Sequence, residues 1–209
     1  MKDKVIAIDG VSASGKGTLA KMLANHLHWA YLNTGALYRC VALYCIKNNI
    51  DYSNPQNVIS ELKNVSFDDL ENEELFIENT GFVASKVSAI QEVRDFLFNF
   101  QKQFCENPNG AVLDGRDIGT VICPEAKYKF FVVADAKIRA ERRLKDMQKQ
   151  KINVDFEEIL NKIVLRDKND FERKVAPLKK ADDAIEIDTG KLTKDEMLQK
   201  ALSYIEIQK

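Results

Sequence analysis

Short apolar runs alternate along the chain with stretches whose apolar residues return every three or four positions. Val5-Ile6-Ala7-Ile8 is the first run and reads as a buried strand that breaks at Gly10. From Thr18 to His28, Leu19, Met22, Leu23 and Leu27 fall at helical spacing. Tyr31-Leu32-Asn33 follows as a short strand, and Leu37 to Asn49 as a helix. Val87 to Glu106 reads as one long amphipathic helix. Ala111-Val112-Leu113 and Tyr128 to Val133 are further strands, and Asp135 is placed to cap a helix from 136 to about 150. The next helix runs from about Asp155 towards Arg173 and is ended by Pro177. Ala184-Ile185-Glu186-Ile187 is the last strand, and Thr193-x-x-Glu196 is a capping box opening the final helix. Between Asp51 and Ser85 the pattern is weaker, with Val65-Ser66-Phe67 and Leu75-Phe76-Ile77 as candidate strands of a small antiparallel piece. Alternating strands and helices predict an α/β fold with a mostly parallel sheet and ligands at the carboxyl ends of its strands.

The break after the first strand carries the strongest chemistry. Gly10-Val11-Ser12-Ala13-Ser14-Gly15-Lys16-Gly17-Thr18 joins a strand to a helix through a glycine-rich turn. Such a turn leaves backbone N–H groups without intrahelical partners at the positive end of the helix, a cradle for a polyphosphate. Lys16 adds a mobile charge that reaches the outer phosphates. The general pattern puts a hydroxyl directly after the lysine; here Gly17 intervenes and Thr18 follows, so Mg²⁺ is expected to arrive with ATP and to lie near Thr18.

Two more strands end in polar blocks. Asn33-Thr34-Gly35-Ala36-Leu37-Tyr38-Arg39 follows the second, and Asp114-Gly115-Arg116-Asp117-Ile118-Gly119-Thr120 the third. Both set an arginine near the edge that holds the phosphate loop, and the guanidinium fork matches phosphate oxygens. Further on, Arg139, Arg142 and Arg143 share one helix, while Arg166, Asp170 and Arg173 fall on one face of the next. Two arginines flanking an aspartate suit a phosphate-plus-sugar clamp; a solvated charged face is the plainer reading of the same spacing.

The overall balance narrows the class. The 209 residues suffice for one full core, apolar residues make up 45% and charged residues 30%, and the net charge is −1. That balance gives no support to a general nucleic-acid binder. Residues 50–79 hold eight acidic groups and one lysine, whereas 137–180 hold fourteen basic and eight acidic groups, so anions should be gripped by the latter. Cys40, Cys45, Cys105 and Cys123 form no C-x-x-C pair and read as reduced core thiols. The phosphate loop begins within ten residues of the start, which leaves no room for a signal peptide, and no apolar run approaches membrane-spanning length. A cytoplasmic location, without a membrane or nucleic-acid partner, is the expectation.

Gly10–Thr18, Asn33–Arg39, Asp114–Thr120 and Val175-Ala176-Pro177-Leu178, in this order, resemble the bacterial cytidylate kinases. The Asp-Gly-Arg-Asp-Ile-Gly-Thr block is more specific than the phosphate loop, which all nucleoside monophosphate kinases share. The resemblance implies transfer of the ATP γ-phosphoryl to CMP or dCMP by a monomer with a five-stranded parallel P-loop core (1–50 and 86–209). It also implies a monophosphate-binding insert, here shortened (about 51–85), and a lid (about 144–170). By the same resemblance Gly10, Val11, Ser12, Ala13, Ser14, Gly15, Lys16, Gly17 and Thr18 hold ATP. Thr34, Arg39, Ser85, Arg94, Asp114, Arg116, Asp117, Arg166, Asp170 and Arg173 bind the acceptor. Lys16, Arg116, Arg139, Arg143 and Arg166 stabilise the transferred charge. Cytosine offers an amino donor and two acceptors, matched by Asp117 on one side and Arg94 and Ser85 on the other. The chain departs from the family pattern at Asn33, where aspartate is usual, at Asn169, where a basic residue is common, and in lacking an arginine-bearing stretch before Ala84-Ser85. The rival readings are another small-molecule P-loop kinase, acting on UMP, AMP or a metabolite, and a non-catalytic nucleotide-binding module. The chain has no Asn-Lys-x-Asp segment of the kind that reads guanine.

Overall fold

A computed structural model of the chain describes residues 2–149 and 153–205. Its single sheet has five strands, β1 (Val5–Gly10), β2 (Ala30–Asn33), β3 (Ala111–Gly115), β4 (Tyr128–Val133) and β5 (Ile185–Asp188), all parallel in the order β2-β3-β1-β4-β5. Every residue of β1 is buried, because helices cover both faces. Val5 and Ala7 enter one core, while Ile6 and Ile8 enter the other. β3 divides the same way, with Ala111 and Leu113 on the first side and Val112 on the second. The first core takes in α2 (Thr34–Lys47), α4 (Glu78–Val87) and α5 (Gln91–Phe104); the second takes in α1 (Lys16–Leu27) and α8 (Lys194–Leu202). From β1 the chain runs to β2 and β3 on one side, then crosses to β4 and β5 on the other. A crevice opens at the carboxyl ends where this direction reverses.

Local chemistry sets the helix starts. Asn33 Oδ1 accepts the Ala36 N–H at 3.3 Å and caps α2. Asp155 accepts the Glu157 N–H at 3.0 Å to open α7 (Phe156–Glu172), and Asp135 accepts the Lys137 N–H at 2.8 Å to open α6 (Ala136–Lys149). The end of that helix expected near 150 lies outside the described residues. Thr193 and Glu196 form the expected capping box before α8. α6 and α7 share a small apolar core of their own around Ala140, Ile159 and Ile163.

Three expectations are corrected. Val87–Glu106 is not one continuous stretch: Val87 ends α4, the chain turns at Ser88-Ala89-Ile90, and α5 follows, which lets Val87 and Val93 both reach the core. Val65–Phe67 and Leu75–Ile77 are not strands: Val65 follows the 3-10 turn Leu62–Asn64, Leu75 and Phe76 lie within the 3-10 turn Glu73–Phe76, and α3 (Pro55–Glu61) precedes both. Asp51, Asn54, Ser66 and Asn72 accept hydrogen bonds from nearby backbone N–H groups, the local bonding that competes with a ladder. Finally, of the four cysteines expected to be reduced core thiols, Cys105 and Cys123 form a disulfide, while Cys40 and Cys45 are free and buried. The pairing is tertiary: the end of α5 lies against the turn Ile118–Ile122, a contact that no spacing along the chain announces.

Gly110, just before β3, has φ 109°, and a Cβ there would stand 2.4 Å from the Trp29 ring. Gly110→Ala should therefore cost about 2 kcal/mol or more through left-handed strain and overpacking. A thermal melt checks it, and an unchanged Tm would contradict the fit.

Candidate active site

The phosphate loop is shaped by close packing behind it. A Cβ on Gly10 would lie 2.1 Å from the Val132 carbonyl oxygen, so only glycine lets β1 pass β4 here. Gly15 precedes α1 with φ 89°, without a side-chain cap and with no acidic residue in the first turn. The positive end of α1 therefore has no compensation of its own. Two loop carbonyls are tied from outside: Arg139 Nη1 donates to Ser12 O at 3.0 Å and Thr189 Oγ1 to Ser14 O at 2.6 Å. Arg142 in turn holds Thr189 through its carbonyl at 2.6 Å. Lys16 Nζ donates to Val11 O at 3.3 Å, folded over the loop. Burial, helped by the Arg116 charge, brings the Lys16 amine down to about 7.

Beside the loop lies a cleft lined by Thr34, Arg39, Ser85 and Arg94, and across from them by Arg116, Asp117, Arg166, Asp170 and Arg173. The polar blocks at the ends of β2 and β3 and the far face of α7 thus meet in one place. Arg94 and Asp117 form a buried ion pair, and Arg173 Nη2 lies 3.7 Å from the other Asp117 oxygen. Arg116 Nε donates to Asp170 at 2.7 Å. Asp114 sits between cleft and loop: it accepts the Tyr31 hydroxyl at 2.7 Å, and a Cβ on Gly17 would be 3.7 Å from its Oδ2. Arg39 donates to Leu75 O at 2.5 Å.

Cations outnumber carboxylates here. Lys16 and five arginines (39, 94, 116, 166 and 173) face Asp114, Asp117 and Asp170. Burial, then the repulsion of neighbouring arginines, lowers Arg39 and Arg166 to about 10. Both still carry full charge near neutrality. Burial raises Asp117 against the pull of Arg94 and Arg173. Burial would also raise Asp170, but Arg116 outweighs it and holds that carboxyl low. Among the described residues, the buried Arg166 Nε and Arg173 Nη2 have no hydrogen-bond partner. Such donors make the cleft a receptor for an anion.

Other predicted positions stand outside this cleft. Arg139 is buried, and its fork is filled by Ala134 O at 2.8 Å, Ser12 O and Asp167 at 2.6 Å, so it braces the loop against α7. Arg143 is half-buried, and its charge helps depress Arg39 and Arg166. Thr18 is exposed on α1. Among residues the reading from sequence missed, Tyr38 lines the cleft with its ring 5.6 Å from the Arg94 guanidinium. Its place one residue before Arg39 was the available signal. Ser88 also lines the cleft, and Asp9 and Thr189 support it from behind.

A parallel α/β sheet with this loop and cleft defines a P-loop nucleotide-binding protein. A family model described as cytidylate kinase matches residues 6–207, and the chain belongs to the cytidylate kinase family. The chain is 43% identical over 202 residues to a cytidylate kinase of Rhodopseudomonas palustris, covering 97% of this chain and 95% of that one. It is 39% identical over 209 residues to one of Fusobacterium nucleatum, covering 95% of each. A solved structure of an uncharacterized protein from Eubacterium ventriosum shares the fold, with a TM-score of 0.57 at 18% identity over 96% of this chain and 97% of that one. No helix among the described residues is long and apolar enough to cross a membrane.

The depressed Lys16 amine has a measurable consequence. In the empty loop it is mostly neutral above about pH 7, and phosphate oxygens beside it favour the charged form. ATP binding should therefore take up protons between about pH 7 and 9, and ATP affinity should fall as pH rises through that window. Calorimetry in two buffers of different ionisation enthalpy reads the uptake; proton release would contradict it.

Proposed function

We propose that this chain transfers the γ-phosphoryl of ATP to CMP or dCMP, giving ADP and the nucleoside diphosphate. The carrying observation is the buried Arg94–Asp117 pair in the same cleft as the free donors of Arg166 and Arg173, next to the phosphate loop. In this reading Asp117 accepts from the cytosine amino group, and Arg94 and Ser85 donate to the ring acceptors. Arg39, Arg116 and Arg166 hold the acceptor's phosphate, and Asp170 faces the sugar. Gly10 to Thr18 hold the triphosphate. UMP offers a carbonyl where CMP offers an amine, and a carboxylate opposite it is repelled.

The chemistry follows from charge. The phosphoryl group in flight spreads negative charge over its equatorial oxygens, so positioning and electrostatic stabilisation do most of the catalysis. Lys16 and the loop amides lie on the donor side, and the arginines of β3 and α7 on the acceptor side. The acceptor phosphate is largely dianionic near neutrality, so no general base is required. The residues also fit a magnesium ion that travels with the nucleotide: Asp114 is a buried carboxylate beside Gly17, and Ser14 Oγ is buried in the loop without a partner. No group of three or more His, Cys, Asp or Glu side chains among the described residues is placed to hold an ion alone, which matches magnesium's preference for phosphate and water ligands. Bound there, magnesium supplies neutralisation of phosphate charge, with Asp114 as its protein carboxylate. In this reading the stretch about 144–170 serves as a lid that closes on both substrates; α7 carries Arg166 and Asp170 and shares a small apolar core with α6. Residues 51–85 serve as the shortened insert that carries Ser85 to the base.

An ADP-release assay across CMP, dCMP, UMP, AMP and GMP should give its highest kcat/KM with CMP or dCMP; a best value with AMP would overturn the proposal. Lys16→Met should lower kcat by about 10²- to 10³-fold, the scale of losing a principal electrostatic donor. Asp117→Asn should narrow the preference for CMP over UMP while leaving the KM for ATP near its original value.

A further inference from the structure

Asp9 is the fifth residue of β1 and continues the stripe that Val5 and Ala7 begin, yet it is a carboxylate at 5% exposure. Its two oxygens take two consecutive amides of another segment: Oδ1 accepts the Ile118 N–H at 2.8 Å and Oδ2 the Gly119 N–H at 2.7 Å. Those amides begin the turn Ile118–Ile122, whose other end is closed on Asp117, since the Asp117 carbonyl accepts from Val121 at 2.8 Å and Ile122 at 3.1 Å. Asp9 therefore caps this turn from a neighbouring strand, as a side chain caps a helix from within its own chain segment. The charge next to it on β4 is committed elsewhere: the Lys129 stem packs by Gly119, while Nζ reaches Pro124 O at 2.5 Å and Asp183 at 2.7 Å.

We infer that Asp9 is a positioning residue for base selectivity: by clamping the two amides that follow Asp117, it fixes the direction in which the Asp117 carboxylate meets Arg94 and the pyrimidine edge. This inference rests on the cytidylate kinase reading of the cleft. The geometry gives it a definite mechanism. Asp117 has φ −143° and ψ 23°, a conformation set by where its following peptide points. That peptide's N–H is the one Asp9 Oδ1 accepts. Only a carboxylate offers acceptors to both amides at once; an asparagine in the same place turns an amide donor towards one of them. The next residue after Asp9 is Gly10, so the strand that presents the phosphate loop also holds the turn that presents the base-reading carboxylate.

Asp9→Asn tests it in a direct way. The variant should raise the KM for CMP by about tenfold, the loss of one hydrogen bond that leaves a buried amide unmet. The preference for CMP over UMP in kcat/KM should fall with it, while the KM for ATP stays within about twofold. A variant that keeps its KM for CMP and its selectivity, or that loses kcat equally with every acceptor, overturns the inference. Wild-type enzyme with no turnover of CMP in the same assay would overturn the functional reading instead, so the two failures are distinct. If Asp9→Asn does not fold, amide exchange of the wild-type protein decides. Slow exchange at Ile118 and Gly119 that slows further with CMP, and not with ATP alone, supports the role; fast exchange, or indifference to CMP, overturns it.

Discussion

The structure depends on keeping a surplus of buried cations next to an unfilled loop. Burying a guanidinium costs several kcal/mol unless its donors are met, and among the described residues Arg166 Nε and Arg173 Nη2 have no hydrogen-bond acceptor. Enough carboxylates are present to hold the set together and too few to neutralise it. Asp170 takes Arg116 and Asp117 takes Arg94, while Asp114 is bonded to the Tyr31 hydroxyl and no arginine. An anionic ligand supplies what the protein withholds, and the fold meets that cost elsewhere through a central strand buried on both faces.

The same arrangement explains how the halves of the site communicate. β1 ends at Gly10, pressed against the Val132 carbonyl, so the phosphate loop has little freedom at its root. Behind it, Arg139 joins the loop carbonyl of Ser12 to Asp167 of α7. Asp167 neighbours Arg166, one of the two cleft arginines with an unmet donor. α7 is also tied to the end of β3 by the Arg116–Asp170 pair at 2.7 Å, and to α4 by the exposed Lys162–Glu78 pair at 2.7 Å, which is worth at most about 1 kcal/mol. α6 and α7 thus share a small core of their own and are joined to the sheet and its loops by several buried or half-buried contacts, Arg139 to the Ser12 carbonyl, Arg142 to the Thr189 carbonyl and Asp170 to Arg116.

Much of this was legible along the chain. Strands with both faces covered read as continuous apolar runs, and β1, β3 and β4 were read that way. Caps at Asp135, Asp155 and Thr193 are local, so their helices were placed within a few residues. The motif residues after β2 and β3 also come together, because parallel strands deliver their carboxyl ends to one edge. Other features depend on tertiary partners. The break at Ser88–Ile90 follows from core packing on both sides of it, and the Cys105–Cys123 bridge follows from α5 lying on a turn 18 residues away. The resemblance gives Arg139 a part in stabilising the transferred charge, and the sequence is silent on which oxygens its guanidinium meets, here those of Ser12, Ala134 and Asp167. Asp9 was absorbed into an apolar strand for the converse reason: its partners are backbone amides more than a hundred positions distant, and amides have no sequence signature.

Asn33 shows how the local and global levels trade. An aspartate, the residue the family resemblance leads one to expect here, would add favourable interaction with the positive end of α2. That end also belongs to the cleft, since Thr34, Gly35 and Arg39 line it. A neutral cap keeps the Ala36 N–H satisfied without adding a fourth carboxylate to the three already facing the arginines. The surplus of positive charge, and with it the pull on an anionic acceptor, is thereby preserved. Asparagine gives up a fraction of helix stability, typically below about 1 kcal/mol, and the electrostatic bias of the crevice is kept.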